Sequence, residues 1–191
     1  EGAQTAPIEA ALLEADRQIS YRDLIQLAGG AAVQLREANV SPGDRIALIG
    51  SNSIDLAVAY LATLWVGAIA VPINPKAASF EIAAQLTAVS PAGVMALSGF
   101  GGAVPSEFVP MAIDVYRRAE NVPIEPRGAS DVAVLLFTSG TAGAAKAAML
   151  SHGNLAANLA SVRDTQDLSL APNDVGFAAL PWFHIFGLNV G

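Results

Sequence analysis

Ten consecutive residues carry most of the chemistry this sequence can offer: Phe137, Thr138, Ser139, Gly140, Thr141, Ala142, Gly143, Ala144, Ala145 and Lys146. They combine three hydroxyls, two glycines and a lysine. Glycines let successive backbone N–H groups turn toward one point and form an anion-binding nest. Hydroxyls add donors, and a lysine supplies a point charge for a polyphosphate. This is what holding the phosphates of ATP requires. Several other motifs fail on spacing. A phosphate loop of the Walker type needs glycine before the lysine and Ser or Thr after it, whereas Ala145 and Ala147 flank Lys146. A nucleophile elbow would need glycine where Phe137 stands, so Ser139 is not an esterase serine. Gly99 and Gly101 miss the dinucleotide fingerprint because Val104 fills its last position. On spacing alone, a flexible surface turn with a solvated lysine competes with phosphate binding.

Composition narrows the remaining chemistry. The 191 residues are 53% hydrophobic and 14% charged, which argues against disorder and against a charged coiled coil. A chain of this length buries a substantial core without disulfides or a structural metal. There is no cysteine, which excludes thiol catalysis and Cys-based zinc sites, and only two histidines are present. A net charge of -7, from 10 basic and 17 acidic residues, repels a nucleic-acid backbone.

The elements that would position the loop alternate between helix and strand. Ser20 caps an expected helix over 21–38, with Leu24, Leu27, Ala28, Ala31 and Leu35 along one stripe. Pro42, Gly43 and Asp44 make a turn into a short apolar strand over 45–49. Residues 56–73 carry no charge and approach the ~18 residues of a membrane span. Gly67 and Pro72 interrupt that run, however, and Ser53 reads as the cap of a helix over 56–66 with Asp55 in its first turn. A buried strand over 68–72 follows, then a helix over 79–89 and a strand over 93–97. Residues 98–131, rich in glycine and proline, read as a surface excursion or subdomain crossing. A strand over 132–137 leads into the loop, a helix starts behind Ser151, and 174–180 reads as one more strand. Apolar strands separated by helices imply an α/β fold: a mostly parallel sheet with helices on both faces. The opening twenty residues have no basic region before an apolar core and hence no signal-peptide pattern. A soluble cytoplasmic protein without a transmembrane segment is expected.

The stretch LLFTSGTAGAAKAAMLSH resembles the phosphate-loop signature of the adenylate-forming (AMP-binding) superfamily, which reads roughly Y-T-S-G-T-T-G-x-P-K-G. That superfamily includes acyl- and aryl-CoA synthetases, luciferases and peptide-synthetase adenylation domains. Four further stretches match in order and spacing: Tyr21-Arg22-Asp23-Leu24, Gly43 to Ala47, Asn52-Ser53, and Gly67 to Pro75. So does Leu180-Pro181-Trp182-Phe183-His184-Ile185-Phe186-Gly187, which looks like the LPxFHxxG motif. The likeness covers nearly the whole chain and is weakest between Ser98 and Ser130.

By that resemblance, Thr138, Ser139, Gly140, Thr141, Ala142 and Gly143 contact the β- and γ-phosphates of ATP, with Lys146 assisting. His184 borders the acyl or aryl pocket, the competing reading being a histidine that caps a helix start. Trp182 and Phe183 read as pocket wall or core, and Tyr21, Asp44 and Asn74 as structural. Mg2+ is the implied ion, with Thr141 as its candidate ligand, and coenzyme A is the implied co-substrate. The implied reaction activates a small carboxylic acid, expected to be a fatty acid, as an acyl-adenylate and then an acyl-CoA. Two alternatives stand beside it: a catalytically silent or binding-only paralogue, and an adenylation domain that loads a carrier protein. Ala142, Ala145 and Ala147 depart from the family's Thr, Pro and Gly. Loss of one hydroxyl on a charged phosphate costs ~1.5–3 kcal/mol, Pro to Ala only ~0.4–1 kcal/mol, and Ala147 matters only if its φ is positive. Nothing in the sequence matches the family's downstream elements. Residues 1–191 are therefore expected to be an incomplete N-terminal AMP-binding domain, lacking the C-terminal portion of the same enzyme and inactive alone.

Overall fold

The computed structural model describes residues 6, 8–138, 146–163 and 174–190. A hairpin of β1 (Ala10–Glu14) and β2 (Arg17–Ser20) precedes helix α1 (Tyr21–Glu37). The chain then alternates through β3 (Arg45–Ile49), α2 (Ile54–Trp65), β4 (Ile69–Ile73), α3 (Ser79–Val89) and β5 (Gly93–Ala96). After a long irregular segment come β6 (Val132–Phe137), β7 (Ala147–Ser151), α4 (His152–Arg163) and α5 (Ile185–Val190).

Five strands form one sheet in the order β5-β3-β4-β6-β7, parallel except for the edge strand β7, which runs antiparallel to β6. Alternation along β3 divides the core. Ile46 and Leu48 face α1 and α2, packing with Leu35, Val58 and Ala62. Ala47 and Ile49 face α3, packing with Val71, Ile73, Ile82 and Leu86. Both faces of the sheet are thus covered, as apolar parallel strands require. Pro72 lies in an interior strand without a lost ladder bond on the β6 side, because β4 pairs with β6 only at Ala70–Val134.

Local chemistry sets the element ends. Ser20 accepts from the Asp23 N–H at 3.1 Å while Asp23 accepts from the Ser20 N–H at 3.0 Å, a reciprocal box that starts α1. Ser53, buried, caps α2 through the Leu56 N–H at 3.1 Å. Trp65 ends α2, and Gly67 turns the chain with φ +73° into β4. The uncharged run over 56–73 is therefore helix plus strand, and no helix among the described residues is long and apolar enough to cross a membrane. Ser151 accepts from the Asn154 N–H at 3.1 Å and starts α4.

Residues 98–131 form no helix or strand beyond one bridge of Pro110 to Val94 on the outer edge of β5. This strap then crosses the outside of α1 and α2 to reach β6. Ala119 N–H donates to the Gln26 carbonyl at 3.0 Å and Glu125 N–H to the Trp65 carbonyl at 2.9 Å. Arg117 pairs with Glu37 at 3.0 Å, Arg118 with Asp23, and Tyr116 Oη donates to Asp55 at 3.0 Å.

Three features differ from the sequence expectation. Residues 174–180 are irregular rather than a strand, with Val175 and Phe177 exposed at 77% and 93%, because no neighbouring strand pairs with them among the described residues. The β1–β2 hairpin and β7 are additional. The other boundaries fall within two residues of the expected ones.

Candidate functional site

Helix α2, which follows β3, packs on one face of the sheet, and α3, which follows β4, packs on the other. The connections from these adjacent strands therefore part in opposite directions, and a crevice opens between their carboxyl ends. This is where open α/β sheets bind ligands. The crevice, about 520 Å3, is lined by Ser51 and Asn52 after β3, by Asn74 and Lys76 after β4, and by Phe177 and Phe183.

Next to β4, strand β6 ends at Phe137 and delivers Thr138; Lys146 precedes β7. The Thr138 N–H donates to the Lys146 carbonyl at 3.2 Å, one rung beyond the Phe137–Ala147 pair. The two ends of the loop are thus fastened together, and both emerge at the carboxyl end of the sheet. Thr138 and Lys146 are exposed there. Ser139, Gly140, Thr141, Ala142 and Gly143, expected to contact phosphates, lie outside the described residues, as does Ala145. Ala147 is a strand residue of β7, and positive φ among described non-glycine residues occurs only at Ala15, Asn39, Ser90 and Asn121. Alanine in place of the family's glycine at 147 is therefore without backbone strain.

His184 starts α5. Its N–H donates to the Pro181 carbonyl at 3.0 Å, and its Nδ1 accepts from the Phe186 N–H at 3.4 Å. That bond is the helix-capping role weighed from the sequence, and it leaves the proton of the neutral ring on Nε2. His184 remains exposed, so capping does not withdraw it from a ligand. The glycine of the same motif has a packing reason: a Cβ at Gly187 would stand 2.2 Å from the Pro181 carbonyl oxygen. No described contact joins His184 to Thr138 or Lys146.

The segment before His184 is held from β3. Asn52 Nδ2 donates to the carbonyls of Ala178 at 3.2 Å and Leu180 at 2.8 Å, and Asn52 Oδ1 accepts from the Trp182 N–H at 2.8 Å. The sequence reading matched Asn52 to a motif without giving it a task. The available signal was an amide placed between the end of a strand and the serine cap of the next helix. Trp182 encloses, with Leu12, Leu24, Tyr60 and Leu188, an apolar cavity of about 200 Å3. Burial pushes the Tyr60 phenol up to about 12, so it stays a neutral O–H at ordinary pH.

Among the described residues no group of three or more His, Asp or Glu side chains could hold a metal ion. Thr141, the candidate magnesium ligand, lies outside them. Mg2+ is commonly held by one or two carboxylates together with substrate phosphates rather than by a dedicated protein cage.

A sheet of this topology with helices on both faces is the fold of the N-terminal domain of adenylate-forming enzymes. The chain belongs to the AMP-binding enzyme family, whose model matches residues 1–191. It is 30% identical to 4-coumarate–CoA ligase 5 of Oryza sativa subsp. japonica, over 90% of this chain and 35% of that protein. Identity to the feruloyl-CoA synthase of an Amycolatopsis species is 31%, over 98% of this chain and 39% of the relative. The ATP-bound structure of MatB from Rhodopseudomonas palustris superposes with a TM-score of 0.82 at 30% identity, covering 97% of this chain and 40% of MatB. The chain spans less than half the length of these relatives.

Proposed function

We propose that this chain is the phosphate-binding part of a carboxylate-activating acid–thiol ligase that uses ATP. The carboxylate oxygen attacks the α-phosphorus of ATP, the bond to the bridging oxygen breaks, and pyrophosphate leaves with its electron pair. The resulting acyl-adenylate then meets a thiol, whose sulfur attacks the carbonyl carbon. AMP leaves and one proton is released. The observation that carries this reading is the hydroxyl- and glycine-rich loop whose ends, Thr138 and Lys146, are fastened beside the switch-point crevice.

In this reading the protein positions reactants and offsets phosphate charge. Thr138 and the backbone and hydroxyls of Ser139, Gly140, Thr141, Ala142 and Gly143 hold the β- and γ-phosphates. Lys146 adds a positive charge there, and His184 borders the pocket for the acid with Nε2–H as its donor. Mg2+, when bound to the nucleotide, offsets phosphate charge. Coenzyme A is favoured over a carrier protein as acceptor because the relatives described above are named for CoA ester formation. Those names are of aromatic acids, and they support an aryl substrate over the fatty acid expected from sequence. The remaining functions of the reaction belong to a further portion of a longer enzyme, so the 191-residue chain alone is inactive.

A second reading, a silent or binding-only paralogue, is favoured by Ala142 and Ala145, which depart from the family pattern. Carboxylate-dependent ATP–pyrophosphate exchange separates the two. It is measured with aryl and fatty acids on this chain and on a longer form carrying the downstream portion. Exchange by the longer form alone supports the proposal, and its preferred acid names the substrate class. Exchange by the 191-residue chain overturns the claim of an incomplete site. Silence from both forms supports the binding-only reading.

A further inference from the structure

We infer that Asn52 is the positioning residue for His184, acting through the backbone of the segment between them. This rests on the proposed carboxylate-activating reading only for the task given to His184; the contact itself stands on geometry. A carboxamide offers two donors and an acceptor, and Asn52 uses both kinds of group across more than a hundred residues of sequence. Its Nδ2 bonds the carbonyls of Ala178 and Leu180, at 3.2 and 2.8 Å, while its Oδ1 accepts from the Trp182 N–H at 2.8 Å. Residues 174–180 belong to no helix or strand, so these three bonds replace the ladder that a strand would have had. The next links lead to the histidine. Trp182 follows Pro181, whose carbonyl accepts from the His184 N–H at 3.0 Å and packs against Gly187 of α5.

The mount beneath Asn52 is rigid. Ser51 N–H donates to the Ser98 carbonyl at 2.9 Å, which ties the end of β3 to the loop after β5. A Cβ at Gly99 would stand 2.2 Å from Ser51 Oγ, and one at Gly50 would stand 2.9 Å from Leu97 Cβ. The backbone on both sides is thus in close contact. On the far side Ser53 caps α2, and the Ile54 N–H donates to Glu14 at 2.9 Å. Asn52 therefore projects from a fixed point between a strand end and a helix start. A side chain mounted this way transmits position more accurately than a loop does by itself.

The test uses two variants. Asn52→Ala removes all three bonds. Asn52→Asp keeps the shape and the acceptor for Trp182 but sets a carboxylate against the Ala178 and Leu180 carbonyls. Hydrogen exchange of the Trp182 amide is measured on the 191-residue chain, beside its unfolding midpoint in urea. Kinetics are measured on the longer form with ATP and an aryl acid. We expect the Trp182 amide to exchange at least tenfold faster in Asn52→Ala. We also expect Asn52→Asp to lower kcat/KM for the acid at least tenfold while KM for ATP moves less than threefold. Should Asn52→Ala fail to fold, faster Ala178–Trp182 exchange in Asn52→Asp supports the contact in its place. Unchanged Trp182 protection in a folded variant overturns the inference, as does an equal loss toward ATP and acid. A wild-type longer form without exchange activity overturns the carboxylate-activating reading and the task of His184 with it. Trp182 protection still decides, in that case, whether Asn52 holds the segment.

Discussion

Gly30, in the middle of α1, lies directly beneath the carbonyl of Arg117: a Cβ there would stand 1.9 Å from that oxygen. Its neighbour Gly29 faces the Ala119 carbonyl, with 3.1 Å available for a Cβ. Glycine in a helix interior costs about 1 kcal/mol relative to alanine, so two in succession need a reason. The strap from β5 to β6 supplies it, because its backbone can sit against α1 only where side chains are absent. Arg117 and Arg118 then pair with Glu37 and Asp23, at the two ends of the same helix.

Gly30→Ala therefore destabilises the chain despite its better helix propensity. Overpacking of about 1–3 kcal/mol outweighs a propensity gain of about 1 kcal/mol. Gly29→Ala, with 3.1 Å to its nearest neighbour, is expected to come out close to neutral. Urea denaturation of both variants checks the contrast, and equal midpoints would remove the close-approach explanation.

Much of this fold was legible in the sequence because its strands are short apolar runs and three of its helices carry serine caps. Ser20, Ser53 and Ser151 each mark a helix start that the structure contains. What escaped was structure defined by a partner. β7 is an Ala-rich run that becomes a strand by pairing with β6, and β1 and β2 become strands by pairing with each other. Residues 174–180 carry strand-like composition, yet their carbonyls go to Asn52 rather than to a neighbouring strand. The glycine, hydroxyl and lysine spacing of the loop between Thr138 and Lys146 is local, and so visible in the sequence. The Asn52 tether spans the chain and has no local signature.

The start of α1 is acid-sensitive. Asp23 accepts from the Ser20 hydroxyl and N–H and pairs with Arg118, and these partners hold its carboxyl down at about 2. The folded value lies below the ordinary carboxylate value of about 3.9. Its contribution to stability is therefore complete above about pH 4 and is lost as pH falls toward 2. Urea unfolding of wild type and Asp23→Asn at pH 5.5 and 2.5 reads this directly. The variant is expected to be less stable at pH 5.5, with the gap narrowing at pH 2.5; a constant gap would assign the effect to something other than the carboxylate.

Leu48 tests the central sheet. It is fully buried in β3 on the face that packs against α1 and α2. Leu48→Ala is expected to cost about 2–5 kcal/mol, the usual range for a truncated core leucine. Thermal unfolding measures it, and a loss below 1 kcal/mol would mean that the packing around β3 can collapse into the space.

The loop makes opposed predictions at two positions. Lys146 sits where Thr138 and β7 close the loop, and in the proposed function its charge faces the nucleotide phosphates. A charge-assisted contact is worth about 1.5–3 kcal/mol, so Lys146→Met is expected to slow carboxylate-dependent exchange by about tenfold to a hundredfold. Ala142 lacks the hydroxyl that the family pattern has at that place. Ala142→Thr supplies the missing donor and is expected to raise exchange, or tighten ATP binding, by up to the same factor. Lys146 is exposed, so the unfolding midpoint of Lys146→Met should match wild type. The pair is informative because its members move in opposite directions. A slower Lys146→Met together with a faster Ala142→Thr places phosphate at the loop. Indifference at both positions, in an enzyme that still performs exchange, would mean that ATP is held elsewhere on the sheet.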